Sequence, residues 1–509
     1  MNFPDSRARA IPLHRAAAAT LGFAFALAGC ASFEGIAPHE QAVQAVKLPT
    51  FDAVTDTRNA WPRQAWWRAY GDPQLDELMT RALADSPTLA LARARMARAQ
   101  AMTGLSAANA RPQVGASASL GYGRQSENYM NPRPPLGTGG EYVGQGTASV
   151  NLDYDLDLWG RNAALIQAAQ AQERAAGYDA AAARLALTTS IAQAYVQLAG
   201  QYELLDVIRA TEKQRRHMRE LIDKRVASGL DTRVEVKQAE SNEAALHAER
   251  ERLETAIKLT RLQLAALTGQ MPAQAESIAR PKLAAQPFDV PSMLPLDLLA
   301  RRPELAAQRA RIQAMLGEAA AAKAQFYPNI NLSALVGLQA IGLGQLLEAG
   351  SLMSSVGPAI HLPLFDAGRL RANYAAKTAD VDAAIAQYNQ AVLSAARDVA
   401  EQLTRVSDLA REEAATRTSL EAAEEALRLA TLRYQGGLAP YLSVLTTETQ
   451  VLTQRQAMSV LHSQRAQLQV ALVRALGGGF ADAPATVAAR GLNGTAMAQR
   501  TSNTIQEKP

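Results

Sequence analysis

Between Tyr142 and Leu158 the chain alternates: Val150, Leu152, Tyr154, Leu156 and Leu158 interleave with Asn151, Asp153, Asp155 and Asp157. A period of two predicts a strand with one apolar face and one face of carboxylates, which suits a wall between lipid and water. Val114 to Gly123 alternates more weakly, and together these stretches predict a hairpin over 114–158. A second hairpin is expected over 329–365, where Ile330, Leu332, Ala334, Val336 and Leu338 repeat the pattern and Ile360, Leu362 and Leu364 close the pair. The Gly-, Pro- and Asn-rich run from Arg124 to Gly146 reads as a long surface loop.

A longer period surrounds the hairpins. From Arg161 to Ala227 there is no proline, and Leu187, Ile191, Tyr195, Leu198, Tyr202 and Leu205 recur at threes and fours, which predicts one uninterrupted helix. Such a helix reaches roughly 100 Å at 1.5 Å per residue. Its counterpart starts near Arg369, with Val381, Ile385, Tyr388, Val392, Val399, Leu403 and Val406 on one stripe. Shorter helices are expected over Pro73 to Asn109, Arg233 to Leu267, Leu296 to Gln325 and Leu442 to Leu476, with many Ala positions that let helices approach closely.

These elements are written twice. Asp85-Ser86-Pro87-Thr88-Leu89 pairs with Arg301-Arg302-Pro303-Glu304-Leu305, and Arg111-Pro112 with Tyr327-Pro328, both 216 residues on. Trp159-Gly160-Arg161 pairs with Ala367-Gly368-Arg369, and Ser228-Gly229-Leu230 with Gly436-Gly437-Leu438, both 208 residues on. The length difference falls in the loop of the first hairpin, where such differences accumulate. The expected division is a first repeat over 73–270, a linker over 271–295, and a second repeat over 296–480. An extended N-terminal segment over 30–72 precedes them, and a tail over 481–509, rich in Ala, Thr, Gly and Asn, follows.

The N-terminus adds an address. Basic Arg7, Arg9 and Arg15 precede an uncharged run from Ala16 to Gly29, the signature of a secretory signal over 1–29 and too short to span a bilayer. The run ends Leu27-Ala28-Gly29-Cys30, which resembles the bacterial lipobox. The resemblance implies cleavage before Cys30 and a covalent diacylglycerol with a fatty acyl group there, and the absence of an Asp just after it resembles an outer-membrane sorting signal. Cys30 is the only cysteine, so no intramolecular disulfide forms. Losing three Arg and one Asp with the signal lowers the formal charge from +4 to +2. No Lys/Arg block interleaves with aromatics, so no nucleic-acid partner is expected.

Past the signal no stretch is apolar for eighteen residues, which leaves a closed barrel as the way to span a membrane. Four strands do not close around water, so several chains must pool theirs. The pattern also fits a periplasmic spacer lipoprotein whose helices form a rod with two hairpins and no pore. Phosphate loops, nucleophile elbows and zinc helices are absent from the sequence. The histidines, including His217, His247 and His361, stand singly, and no metal site is expected. Asn151, Asp153, Asp155 and Asp157 read as the polar lining of a barrel lumen rather than a cation site.

Several motifs, in this order and duplicated, resemble the TolC-like outer-membrane efflux channels, in particular the lipoprotein branch serving pumps of the resistance-nodulation-division class. They are Asp157-Leu158-Trp159-Gly160-Arg161, Leu299-Ala300-Arg301-Arg302-Pro303-Glu304, Phe326-Tyr327-Pro328, Leu364-Phe365-Asp366-Ala367-Gly368-Arg369, and Arg433-Tyr434-Gln435-Gly436-Gly437 with Tyr441-Leu442-Ser443-Val444-Leu445. The likeness covers nearly the whole mature chain. It implies a mixed α and transmembrane β fold: a homotrimer with a 12-stranded β-barrel continued by a 12-helix periplasmic α-barrel. It also implies a periplasmic adaptor, an inner-membrane transporter that supplies the energy, outer-membrane lipid around the barrel, and no enzymatic activity of its own. Gly229, Leu230 and Asp231, with Gly436, Gly437 and Leu438, correspond to the tips where the adaptor docks. Ordinary helix C-caps account for the same glycines. The ring of aspartates that narrows the pore in many relatives falls here on Ser443 and Thr446. Arg233 and Glu235, at the equivalent place in the first repeat, are the candidate charges at that periplasmic gate.

Overall fold

The computed structural model describes residues 32–43, 63–128, 140–284 and 301–481. The signal segment, Cys30 and the tail beyond residue 481 lie outside them. A 3-10 turn, Trp66–Tyr70, precedes α1 (Pro73–Asp85) and α2 (Pro87–Asn109). The hairpin β1 (Gln113–Arg124) and β2 (Tyr142–Asp155) follows, then α3 (Arg161–Ala227) and α4 (Arg233–Leu267). A 3-10 turn, Pro272–Ser277, precedes α5 (Pro303–Ala324), the hairpin β3 (Asn329–Ile341) and β4 (Leu352–His361), and the helices α6 (Arg369–Gln435) and α7 (Tyr441–Ala475). α3 and α6 are each 67 residues long, and α4 and α7 each 35. Among the described residues no helix is long and apolar enough to cross a membrane.

Several bounds differ from the sequence pattern, each for a local reason. The helix expected over Pro73 to Asn109 breaks at Ser86, whose ψ of 125° is extended, as the residue before a proline prefers. The second strand stops at Asp155 and the fourth at His361, so Leu156, Leu158, Leu362 and Leu364 lie beyond the ladders. The segment 30–72 is not extended throughout, because Trp66, Trp67 and Tyr70 wind into a buried turn. The described part of the helix expected from Leu296 begins at Pro303, and 296–300 lie outside the described residues.

The described residues form two compact units, one of residues 32–42, 97–128, 140–175 and 308–387, the other of 43, 63–96, 176–284, 301–307 and 388–481. The first holds a four-stranded antiparallel sheet in the order β1-β2-β3-β4. Its N-terminal strap is fixed at several points. Phe33 meets Phe326 edge-on at 5.6 Å and Tyr374 at 6.5 Å, and Lys323 Nζ lies 4.6 Å from its ring centre. Arg371 donates to the Ser32 carbonyl at 2.9 Å, and Asp382 accepts the His39 and Glu40 amides. Trp159 stacks on Tyr327 at 4.8 Å while its Nε1 donates to the Pro328 carbonyl at 2.7 Å.

In the second unit the stripe forecast for α3 is the core: Leu187, Ile191, Tyr195, Leu198 and Leu205 are buried with Leu75, Met79, Leu264 and Val470. Full burial contributes about 1.5–3 kcal/mol for each large aliphatic side chain. Asp72 ties the chain's crossing points together. Its Oδ1 caps α1 through the Gln74 amide at 2.9 Å, and its Oδ2 accepts from the Tyr195 hydroxyl and the Lys282 amide, both at 2.7 Å. Burial, reinforced by Asp72, raises the Tyr195 hydroxyl pKa well above the usual phenol range.

Candidate functional site: a two-faced sheet and two helical tips

The strand register sorts side chains by chemistry. Val114, Leu152, Ala334 and Val356 form one cross-strand row, and Ala116, Val150, Val336 and Ser354 the next. On the opposite face Gln113, Asp153, Ser333 and Gly357 share a row, and Ser117, Ser149, Gly337 and Met353 another, polar but for its last member. Alternation with period two produces this division directly. The apolar face is uncovered: Val114, Leu120, Tyr122, Leu352, Val356 and Ile360 are all exposed. β1 pairs with β2 alone and β4 with β3 alone, so both sheet edges present unpaired backbone groups among the described residues, a condition that proteins relieve by closure or by pairing with another chain.

Asn151, Asp153 and Asp155 lie on the polar face, and Asn151 donates to Asp153 at 3.2 Å. Asp157 does not join them. It sits past the strand end at φ 44°, and its two carboxylate oxygens accept the Asn162 and Ala163 amides at 2.9 Å, capping α3. The strand ends sooner because those first helical N–H groups need an acceptor. Asp366 does the same for α6, accepting the Leu370 amide at 2.8 Å.

The long helices turn at the two sites marked by glycine. At the end of α3 the Leu230 amide returns to the Arg225 carbonyl at 2.9 Å and the Gly229 amide to Val226 at 3.0 Å. At the end of α6 Leu438 returns to Arg433 at 2.7 Å and Gly437 to Tyr434 at 3.0 Å. Both are Schellman motifs, which require a left-handed residue, and Gly229 and Gly437 supply it at φ 71° and 72°. Leu230 and Leu438 project, 65% and 74% exposed.

The third residue of the first tip behaves otherwise. Asp231 is turned inward, with a side chain only 10% exposed. Arg225 grips it with Nε at 2.9 Å and Nη2 at 3.3 Å, and the Tyr434 hydroxyl donates to the same carboxylate. Arg225 also donates to the Tyr434 carbonyl at 3.2 Å and lies 4.5 Å above its ring centre. Burial pushes the Asp231 carboxyl upward, but the bonds from Arg225 and Tyr434 outweigh it and hold the group below the usual carboxylate range. The same burial, with Asp231 adjoining, raises the Tyr434 hydroxyl. This cluster fastens the end of α3 to the end of α6.

Of the candidate gate residues, Arg233 is exposed and Ser443 half-buried. Glu235 closes a capping box: its Oε2 accepts from the Thr232 amide at 2.9 Å and from the Thr232 hydroxyl at 2.6 Å, while Thr232 accepts the Val234 amide. Hydrogen bonds from Thr232 keep its carboxyl below the usual range. Thr446 turns its hydroxyl back to the Leu442 carbonyl at 2.9 Å. No group of three potential metal ligands occurs among the described residues. His217 and His247 have acidic neighbours on their own helices, Glu220 at 3.7 Å and Glu251 at 3.9 Å.

Glu448 is a buried carboxylate that the sequence motifs do not single out. Tyr441, Val444, Glu448 and Val451 are buried at helical spacing on one face of α7. An acidic residue on an otherwise apolar stripe was the available signal.

Comparison with known proteins covers most of the chain. The sequence model of the outer membrane efflux protein family matches residues 78–270 and again 294–478. The multidrug resistance outer membrane protein MdtP of Shigella flexneri is 34% identical over 470 residues, covering 91% of this chain and 96% of that protein. The fusaric acid resistance protein FusA of Burkholderia cepacia is 37% identical over 375 residues, 72% of this chain and 69% of that one. The crystal structure of the outer membrane protein VceC from Vibrio cholerae superposes with a TM-score of 0.78 at 38% identity, covering 82% of this chain and all of that one.

Proposed function

Because the chain belongs to the outer membrane efflux protein family and is an efflux channel of the outer membrane, we propose that it works as a passive homotrimeric duct. Three copies pool their four-stranded sheets into a 12-stranded barrel, and their helices continue it as a periplasmic tunnel built from two repeated units per protomer. The observation that carries this reading is the two-faced sheet with both edges open. Its uncovered apolar rows need lipid, its polar rows need water, and its edge strands need partners. Cys30 carries the diacylglycerol and fatty acyl group that anchor the chain, which therefore enters the outer membrane twice, by lipid and by barrel.

The duct has no catalytic chemistry and takes its energy from an inner-membrane transporter of the resistance-nodulation-division class, reached through a periplasmic adaptor. Gly229 and Leu230 with Gly436, Gly437 and Leu438 form the docking tips. Asp231 acts within the tip by holding α3 to α6, so opening requires that cluster to yield. Arg233, Ser443 and Thr446 border the periplasmic gate, and Asn151, Asp153 and Asp155 line the barrel. Small-molecule drugs are the cargo that the name of the relative MdtP supports.

Electron microscopy of the detergent-extracted mature protein, paired with conductance in planar bilayers, tests the reading. A three-fold particle that conducts ions is the expected result. A monomer without conductance would overturn it.

A further inference from the structure

Glu448 sits in an unusual place for a carboxylate. It lies two turns inside α7, among Tyr441, Val444 and Val451 of that helix, Met218 and Ile222 of α3, and Leu427 of α6. Its side chain is 4% exposed, and neither carboxylate oxygen has a hydrogen-bond partner. The nearest cation is Arg215 of α3, whose Nε stands 3.6 Å away and is itself without a hydrogen-bond partner, too far for a bond to be counted. Arg215 is held elsewhere, donating through Nη1 to the Asn242 carbonyl of α4 at 2.8 Å. An ionised carboxylate without hydrogen bonds is costly in such a site, and one imperfect ion pair does not offset it.

The surrounding charges do not change this balance. On α3, Arg219 is committed to Glu240 at 2.7 Å and Glu243 at 3.4 Å of α4. On α7 the neighbouring titratable group is the buried Tyr441 hydroxyl, which burial and Glu448 both push upward. On α6, Glu424 pairs with Arg455 and Glu425 with Arg428, while Tyr434 is taken by Asp231. Arg215 is the one cation that faces Glu448 directly among the described residues.

Resting on the duct reading, we propose that Glu448 is a positioning residue of the periplasmic end: ionised, it loosens the packing of α7 on α3, and protonated, it lets the two helices close. The pair joins the first helical hairpin to the second within one protomer, so any movement of α7 away from α3 brings the carboxylate to water. Burial raises the Glu448 pKa in the packed state above its ordinary value, so the packed state binds the proton more tightly than the opened one. Packing strength contributed by this group is therefore fully present below the ordinary carboxylate pKa and is lost as pH rises through the raised one. Acidification favours closure.

Two measurements test this. In planar bilayers, the open probability of the wild type is expected to fall several-fold between about pH 7.5 and about pH 5, since each unit of pKa difference between packed and opened states changes their ratio about tenfold. Glu448→Gln, which keeps the shape and removes the charge, is expected to show the low value at both. Arg215→Gln is expected to move the midpoint of the wild-type profile upward, and Arg215→Lys to leave it in place, a shift that a purely packing role does not produce. A Glu448→Gln channel with the wild-type pH profile would overturn the proposal. The second measurement needs no variant: amide exchange over residues 441–451 of the detergent-solubilised protein, corrected for intrinsic rates, is expected to slow at the acid pH. Equal protection at both would also overturn it. A wild type that conducts at neither pH counts against the duct itself, while exchange over 441–451 still decides the role of Glu448.

Discussion

The two helical hairpins turn by the same backbone route and are then held in different ways. α3 and α6 both end in a Schellman motif around a left-handed glycine, and α4 and α7 both begin 208 residues apart after it. Of the 35 positions in each second helix, α4 carries twelve Asp, Glu, Lys or Arg and α7 only four, so the first seam is the more heavily charged, although Arg455–Glu424 and Arg465–Glu413 still cross the second at 2.6 and 3.3 Å. Arg209–Glu254, Arg250–Glu212 and Arg219–Glu240 cross the first seam at 3.3, 3.2 and 2.7 Å. Partly exposed pairs of this kind contribute about 0–1 kcal/mol each, so they keep a face soluble more than they fasten it. α7 instead presents Leu442 and a run of threonines whose hydroxyls return to their own helix, Thr446 to Leu442, Thr449 to Leu445 and Thr453 to Thr449. Such a face has little hydration to lose on burial. The difference teaches that one backbone plan supplies a heavily charged helix and a sparsely charged one by changing side chains alone.

The sharpest way to break the comparison is at Asp231, which has no equivalent in the second tip. Asp231→Ala leaves the Arg225 guanidinium, 13% exposed, and the Tyr434 hydroxyl without their partner. Removing one member of a largely buried pair costs about 3 kcal/mol. Amide exchange over residues 221–238 and 432–440 is expected to accelerate together, because the cluster holds both tips. Acceleration in the first tip alone would show that Tyr434 does not depend on Asp231. The pH dependence carries the opposite sign to that of Glu448. The Asp231 carboxyl is held below its unfolded value, so its contribution is present above the unfolded pKa and is lost as pH falls through the folded one. Acid therefore loosens the first tip only at pH values where Glu448 already favours closure.

The turns themselves are expected to respond alike. A Cβ at Gly229 or Gly437 meets nothing within 4 Å, which leaves the left-handed backbone as the sole penalty, about 1 kcal/mol for alanine. Thermal unfolding midpoints of Gly229→Ala and Gly437→Ala are expected to fall by equal amounts. A markedly larger drop at either would reveal a packing role that the monomer geometry does not contain.

What the sequence disclosed follows the range of the forces involved. The bounds of α3 and α4 were readable because proline, glycine and apolar spacing act locally, and the sheet faces because alternation needs only period two. Asp157 was misplaced because its side chain answers a local need as well, the capping of α3, and that need cut the alternation short. Asp231 reads in sequence as part of the adaptor-docking tip, yet its side chain is turned inward and its partner Tyr434 lies 203 residues away. Glu448 leaves a local mark, one carboxylate on an apolar stripe of α7, but its burial against α3 and α6 is set by residues far along the chain. The clamp on Phe33 likewise depends on Phe326 and Tyr374, far along the chain. Pairings across the repeats are set by tertiary packing, and no window of one sequence records them.

The smallest effect concerns the helix starts, where the hairpins differ by one cap. α4 begins with the Thr232 capping box, whereas α7 begins at Pro440 with no side-chain cap. Thr232→Ala is expected to weaken the start of α4 by about 1 kcal/mol. The converse, Pro440→Ser, places a cap where the backbone already has the extended geometry a cap residue needs, φ −71° and ψ 157°. The hydroxyl contributes about 1 kcal/mol, but losing proline returns freedom to the unfolded chain and gives back about 0.5 kcal/mol. The net gain is then about 0.5 kcal/mol, read as slower exchange of the Leu442 to Val444 amides with α4 unchanged. If those amides exchange faster, Pro440 stiffens the second tip by more than any cap supplies, and the two hairpins differ in the rigidity of their turns as well as in their charge.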